Sequence, residues 1–167
     1  MKHLLAIALV AVAACNNGES RQHIQLAHLG FDVPGDWHSN ETNQEGLVTS
    51  VWTPDDNSRK ESVTVIRSER SSEVAKAGLA TLESLLASAQ TPGAKASPAT
   101  EVRTPQGLSG VRIDVDYVPP GLKASYHRVH VVLVDGSSLV HVFYTALSPD
   151  SNLEAFNAVL SSIREES

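Results

Sequence analysis

The sequence predicts an α+β domain built on an antiparallel β-sheet of about six to seven strands with two main helices. Three features point there. Short β-rich segments of alternating apolar residues succeed one another along the chain. Their connections are turn-length, too short for the helical crossovers that parallel strands require. Twice the apolar spacing lengthens to a helical period, once in mid-chain and once at the end.

The chain opens with a segment that stands apart from that domain. One firm positive charge, Lys2, precedes an uncharged apolar run from Leu4 to Ala14. Its eleven residues suit the hydrophobic region of a signal peptide, whereas a bilayer core of ~30 Å needs about 20. The run ends in Val12-Ala13-Ala14-Cys15, an aliphatic residue, two small residues and a cysteine, which resembles the bacterial lipobox. Cys15 is the only cysteine, so no intrachain disulfide can form, and its thiol is the expected acceptor of acyl groups such as palmitate. One acyl chain binds a membrane marginally, at ~0.8 kcal/mol per buried CH₂, and a second makes the anchor stable. Asn16 stands where inner-membrane retention signals of lipoproteins usually place Asp, so the outer membrane, facing the periplasm, is the expected location. The expected organisation is a lipoprotein signal peptide over 1–14, a lipidated polar tether over 15–22 and a single domain over 23–167.

Within the domain, Leu29-Gly-Phe31-Asp-Val33 alternates and stops at Pro34-Gly35, a strand followed by a turn. Gly46–Thr53 and Ser62–Arg67 are further strands, separated by the turn-forming Pro54-Asp55-Asp56-Asn57-Ser58. Ala75, Leu79, Leu82, Leu86 and Ala89 then fall on one helical face, which predicts a helix over Ser72–Gln90, capped by Ser72 and ended by Pro92-Gly93. Thr91–Ala99 reads as a loop and Glu101–Arg103 as a short strand. Gly107–Val118 alternates up to Pro119-Pro120-Gly121. Ser125–Val134 and Leu139–Leu147 form a hairpin about Asp135-Gly136-Ser137-Ser138. Ser151-Asn-Leu-Glu154 has the spacing of a capping box for a terminal helix with Leu153, Phe156, Leu160 and Ile163 on its apolar stripe.

Loss of the signal leaves 153 residues, enough for one core, with twelve basic against nineteen acidic side chains and a charge of about −7. That balance, with no Lys/Arg cluster, argues against nucleic acid as a partner, since phosphate must be neutralised by grouped cations. Phosphate-loop, dinucleotide and Gly-x-Ser-x-Gly patterns are missing, so no catalytic role and no cofactor are expected. One constellation invites a metal. If Asp116 pairs near Tyr126, then Asp114 faces Arg128, Arg112 faces His130, and His130 lies near His141. Asp114, His130 and His141 would then share a half-solvated face with ligand types suited to zinc. That face depends on register, because a slip of one residue turns every side chain over. Trp37 and Trp52 are either aromatic closures of the core or ligand-stacking rings.

The segment Phe31-Asp-Val-Pro34-Gly-Asp-Trp37 resembles the strand-Pro-x-x-Trp opening of the PsbP-like superfamily, which includes DcrB-type and LpqN-type bacterial lipoproteins. The later order is similar too: a long helix, the glycine-led strand Gly107–Val118, a hairpin ending Phe143-Tyr144-Thr145-Ala146, and a terminal helix ending Ser162-Ile163-Arg164. The resemblance spans residues 28–165 and implies an α-β-α sandwich used as an accessory or binding module. The expected function is therefore that of a membrane-anchored, non-catalytic module of the cell envelope, with an envelope protein or a small ligand as partner. The alternative is a periplasmic metal-binding lipoprotein.

Overall fold

The computed structural model describes residues 20–26, 28–44, 47–54, 61–69, 93–136, 138–148 and 153–166. The lipobox, Cys15 and the helix expected over Ser72–Gln90 lie outside these residues.

Eleven antiparallel strands and one helix are found among them: β1 (Arg21–Leu26), β2 (Leu29–Pro34), β3 (Trp37–Gln44), β4 (Leu47–Pro54), β5 (Ser62–Glu69), β6 (Lys95–Ala96), β7 (Thr100–Arg103), β8 (Ser109–Tyr117), β9 (Tyr126–Asp135), β10 (Ser138–Leu147), α1 (Glu154–Ser162) and β11 (Arg164–Glu165). The main sheet has eight strands in the order β3-β4-β5-β10-β9-β8-β6, with β7 also on β8; a small sheet runs β1-β2-β11. The α+β class holds, with mostly antiparallel sheet. The strand count exceeds the expected six to seven, and the described residues carry one main helix where two were expected.

The additional strands have physical reasons for escaping sequence reading. β3, Trp-His-Ser-Asn-Glu-Thr-Asn-Gln, has a single apolar residue and lies at the sheet edge. β6 and β11 are two residues long, too short for a period. β1 takes in Arg21 and Gln22, both expected in the tether. The Gln22 amide donates to the Pro34 carbonyl (3.2 Å) and to that of Trp37, and Gly35 N–H donates to the Ser20 carbonyl. The capping box is also corrected. α1 starts at Glu154 with Leu153 at its N-cap and no side-chain cap, so Glu154 is the first helical residue and not the third.

The core lies between one face of the main sheet, the small sheet and α1. Val63 and Val65, Val129, Val131 and Leu133, and Val140, Val142 and Tyr144 line the main-sheet side. Ile24, Leu26, Leu29, Phe31 and Val33 with Phe156, Val159 and Ile163 close over them. A second apolar group, Val111, Ile113, Val115, Val132 and Leu139, is buried on the opposite face.

That second group corrects the expected face map. Tyr117, not Asp116, stands opposite Tyr126, so Asp114 pairs with Val129 and Ile113 with His130. The slip of one residue puts Val111, Ile113 and Val115 on the face opposite Val129, Val131 and Leu133. β9 is buried at five consecutive positions, 129–133, so its own pattern could not say which face belonged with which. The β9–β10 hairpin is as expected, with Asp135 opposite Ser138 and Gly136 at φ +53° in the turn.

Trp37 and Trp52 both belong to the core; Trp37 is 4% exposed, and the Trp52 indole donates to Ser50 Oγ at 2.6 Å. Removing so large a buried ring leaves a cavity. Trp37→Ala is expected to cost about 3–5 kcal/mol, read as a lowered urea midpoint at unchanged slope.

Candidate functional site

On the sheet face away from α1, β9 and β10 bring His130, His141 and Phe143 together. Phe143 is directly opposite His130 in the register, and their rings stack at 3.9 Å between centroids. His130 Nε2 lies 3.2 Å from His141 Nδ1, so one ring donates its N–H to the other. His130 is 4% exposed, and its pKa is lowered to about 3 by burial first, then by the positive neighbours His141 and Arg128. The half-solvated surface expected for this residue is therefore a buried one. A neutral ring suits the contact, because a second proton would set two N–H groups against each other.

Asp114 is not with them. It lies on the other face of β8, where Arg112 grips it through a two-point contact, Nε–Oδ2 3.0 Å and Nη2–Oδ1 2.7 Å. Two residues apart on one strand, the pair share a face. His127 adds a second carboxylate contact, 3.0 Å to Asp116 and 3.6 Å to Asp114. The Arg112 guanidinium also stands 5.9 Å from the Phe156 ring centroid, tying β8 to α1. The trio Asp114, His130 and His141 is thus split across the sheet. Among the described residues no group of three or more His, Cys, Asp or Glu could hold a metal ion.

Other polar clusters were not anticipated from sequence. In the small sheet His23 bridges Asp32 (2.7 Å) and Glu166 (3.0 Å), and Arg164 reaches Glu166 at 2.9 Å. This joins β1, β2 and the residues around β11, which are as far apart as positions 23 and 166; only the fold could reveal it. The Tyr144 hydroxyl donates to the buried Glu61 carboxylate at 2.8 Å. Asp135 lies 3.7 Å from Arg67, and a hydrogen bond with Asp135 raises the pKa of Glu165. The His23 and Tyr144 clusters match charge with charge or donor with acceptor, the arrangement of a structural network.

The features that face solvent are different in kind. At the end of β8 and β9, Tyr117 and Tyr126 pair with ring centroids 6.0 Å apart. Arg128 donates to the Tyr117 hydroxyl (2.8 Å) and to Thr145 Oγ1 (3.3 Å), with its guanidinium 4.8 Å from the Tyr117 ring centroid. Beyond them an open cleft of about 460 Å³ is lined by residues that include Lys95, Tyr117, Val118 and Ser125. Such a surface can bind; its chemistry is mixed apolar and polar contact, with one cation, Lys95, and one carboxylate, Asp116, in the lining.

The eight-stranded antiparallel sheet, with a small sheet and a terminal helix packed on one face, is a PsbP-like fold. Cyanobacterial PsbP (CyanoP) from Synechocystis sp. PCC 6803 superposes with a TM-score of 0.62 at 19% identity, covering 92% of this chain and 98% of that one. LpqN of Mycobacterium tuberculosis, involved in cell envelope biogenesis, gives 0.60 at 17% identity, covering 90% and 93%. A protein of Bacteroides thetaiotaomicron VPI-5482 gives 0.63 at 11% identity, with 84% of this chain covering 46% of that one, so the chain spans about half its length. No protein-family model matches the sequence, and no curated protein matches it either.

The buried imidazole makes stability depend on pH. The unfolded chain takes up this proton near pH 6.5 and the folded one only near 3, so between those values protons favour the unfolded chain. Stability is expected to fall as pH drops from about 6.5 toward 3, by up to about 1.4 kcal/mol per unit from this group. Urea midpoints at pH 7, 6 and 5 should show a shallower decline in His130→Gln than in the wild type.

Proposed function

We propose that this chain is a bacterial lipoprotein whose PsbP-like domain serves as a non-catalytic accessory module of the cell envelope, held to the membrane by acyl groups on Cys15. The observation that carries the reading is Val12-Ala13-Ala14-Cys15 at the end of an eleven-residue apolar run, with the chain's only cysteine in the acceptor position. No helix among the described residues is long and apolar enough to cross a membrane. The shared fold with LpqN, itself described as acting in cell envelope biogenesis, supports the envelope as the place of action. Asn16 favours the outer membrane, facing the periplasm.

The module acts by binding an envelope protein or a small ligand. The metal-binding alternative draws no support from the geometry, because Asp114 and the His130–His141 pair occupy opposite faces of the sheet. In the test, Cys15→Ser blocks acylation, leaves an uncut precursor and releases no lipidated product to the membrane fraction. Mass spectrometry of the wild-type protein is expected to show a diacyl or triacyl Cys15 as the first residue. An unmodified mature N-terminus would overturn the reading.

A further inference from the structure

Among the described residues two large apolar side chains stand exposed, Val118 at 54% and Leu122 at 52%, and both belong to the loop between β8 and β9. The loop is stiff. Leu122 N–H donates to the Pro119 carbonyl at 3.0 Å, and Gly121 sits at φ +81°. Proline second and a left-handed glycine third make a type II turn, which brings Leu122 back to Pro119, the residue after Val118, at little entropic cost. Lys123 follows on the exposed turn, and Lys95 is exposed on the rim of the adjoining cleft, which Asp116 also lines. Behind the loop stand the half-buried rings of Tyr117 and Tyr126. An apolar tip, flanking lysines and tyrosines one layer back form the composition of a segment seated at a bilayer surface.

The register shows which way this tip points. Trp37 stands opposite Pro54, Trp52 opposite Val63, Val63 opposite Tyr144, Tyr144 opposite Val129 and Val129 opposite Asp114. Trp37 therefore lies at the same end of the main sheet as Tyr117, five strand spacings away, or about 24 Å. The chain enters the fold at that end, because Ser20 is bonded to Gly35 and Gln22 to Trp37. From Cys15 to Ser20 there are five residue steps, at most ~18 Å of extended chain. An anchor on Cys15 thus keeps the Trp37 edge within about 18 Å of the lipid, with the β8–β9 loop at the same end of the sheet.

We infer that the β8–β9 loop is a membrane-contact element, which seats Val118 and Leu122 among the lipid headgroups of an anionic bilayer and fixes the orientation of the anchored domain. The inference rests on acylation of Cys15, and the experiment separates the two. Acylation occupies the only native thiol, so Leu122→Cys in the lipidated full chain gives one site for an environment-sensitive fluorophore. Gln106→Cys, in the turn at the far end of β8, is the control. Each protein is reconstituted into phosphatidylethanolamine–phosphatidylglycerol vesicles with a quencher attached to the acyl chains, and flotation is scored alongside fluorescence. At position 122 the expected result is a blue-shifted emission quenched at least threefold more than at 106, with the difference reduced by Lys95→Glu/Lys123→Glu. Vesicles that float with protein while both labels remain in water would overturn the inference and leave the anchor standing. Shielding of position 122 only in native envelopes would also overturn it, in favour of a protein partner. Protein that fails to float would remove the anchor and the inference together. Leu122→Cys is solvent-exposed, so an unchanged thermal midpoint checks that the fold is intact.

Discussion

Eight residues of β5 pair with eight of β10, from Ser62 opposite Thr145 to Glu69 opposite Ser138, and the remaining structure depends on that ladder. β10 is flanked on its other edge by β9 along its whole length. Together these pairings make a continuous sheet out of two blocks of strands that are distant in sequence. They set Val63 and Val65 beside Val142 and Tyr144, where the small sheet and α1 can cover them. Burial of that apolar surface, at ~25 cal/mol per Å², is the main favourable term, and the ladder decides which surface is buried.

The strands with an apolar period could be read from sequence to within a residue or two, because alternation reports a buried face directly. β2, β5, β8 and β10 are of this kind. The hairpin at Asp135–Ser138 was legible for a different reason: its turn chemistry specifies both strands at once. β3 was illegible because its residues Asn40, Glu41, Thr42, Asn43 and Gln44 carry no apolar signal. Its place in the sheet comes from pairing with β4 alone. Register between β8 and β9 was illegible because both faces of β9 are buried, and eight residues of loop leave the phase open.

That phase decided the candidate site. The sequence suggested a polar face and an apolar face, with Asp114 alongside His130 and His141. The actual phase gives each face a mixture. One face buries His130 among Ile113, Phe143 and Val132, where desolvation keeps the ring neutral. The other gathers Arg112, Asp114, Asp116 and His127 at the margin of the main core. Trp37 and Trp52 turned out to be core residues, as large aromatics in such positions usually are. The features left facing water, the β8–β9 loop and its cleft, have no motif. Exposure of Val118 and Leu122 is a property of the folded surface, and composition does not carry it.

The ladder between β5 and β10 has a kinetic side. Its paired residues are separated by 69 to 83 positions, so the sheet cannot close until Ser138–Leu147 has been made. Closing so long a loop draws heavily on chain entropy before any contact repays it, and sheets of such high contact order fold slowly. In this topology the delay is inherent: a fragment that ends before Ser138 lacks the central strand, and β3, β4 and β5 cannot join β9 and β8 until the β9–β10 hairpin supplies it.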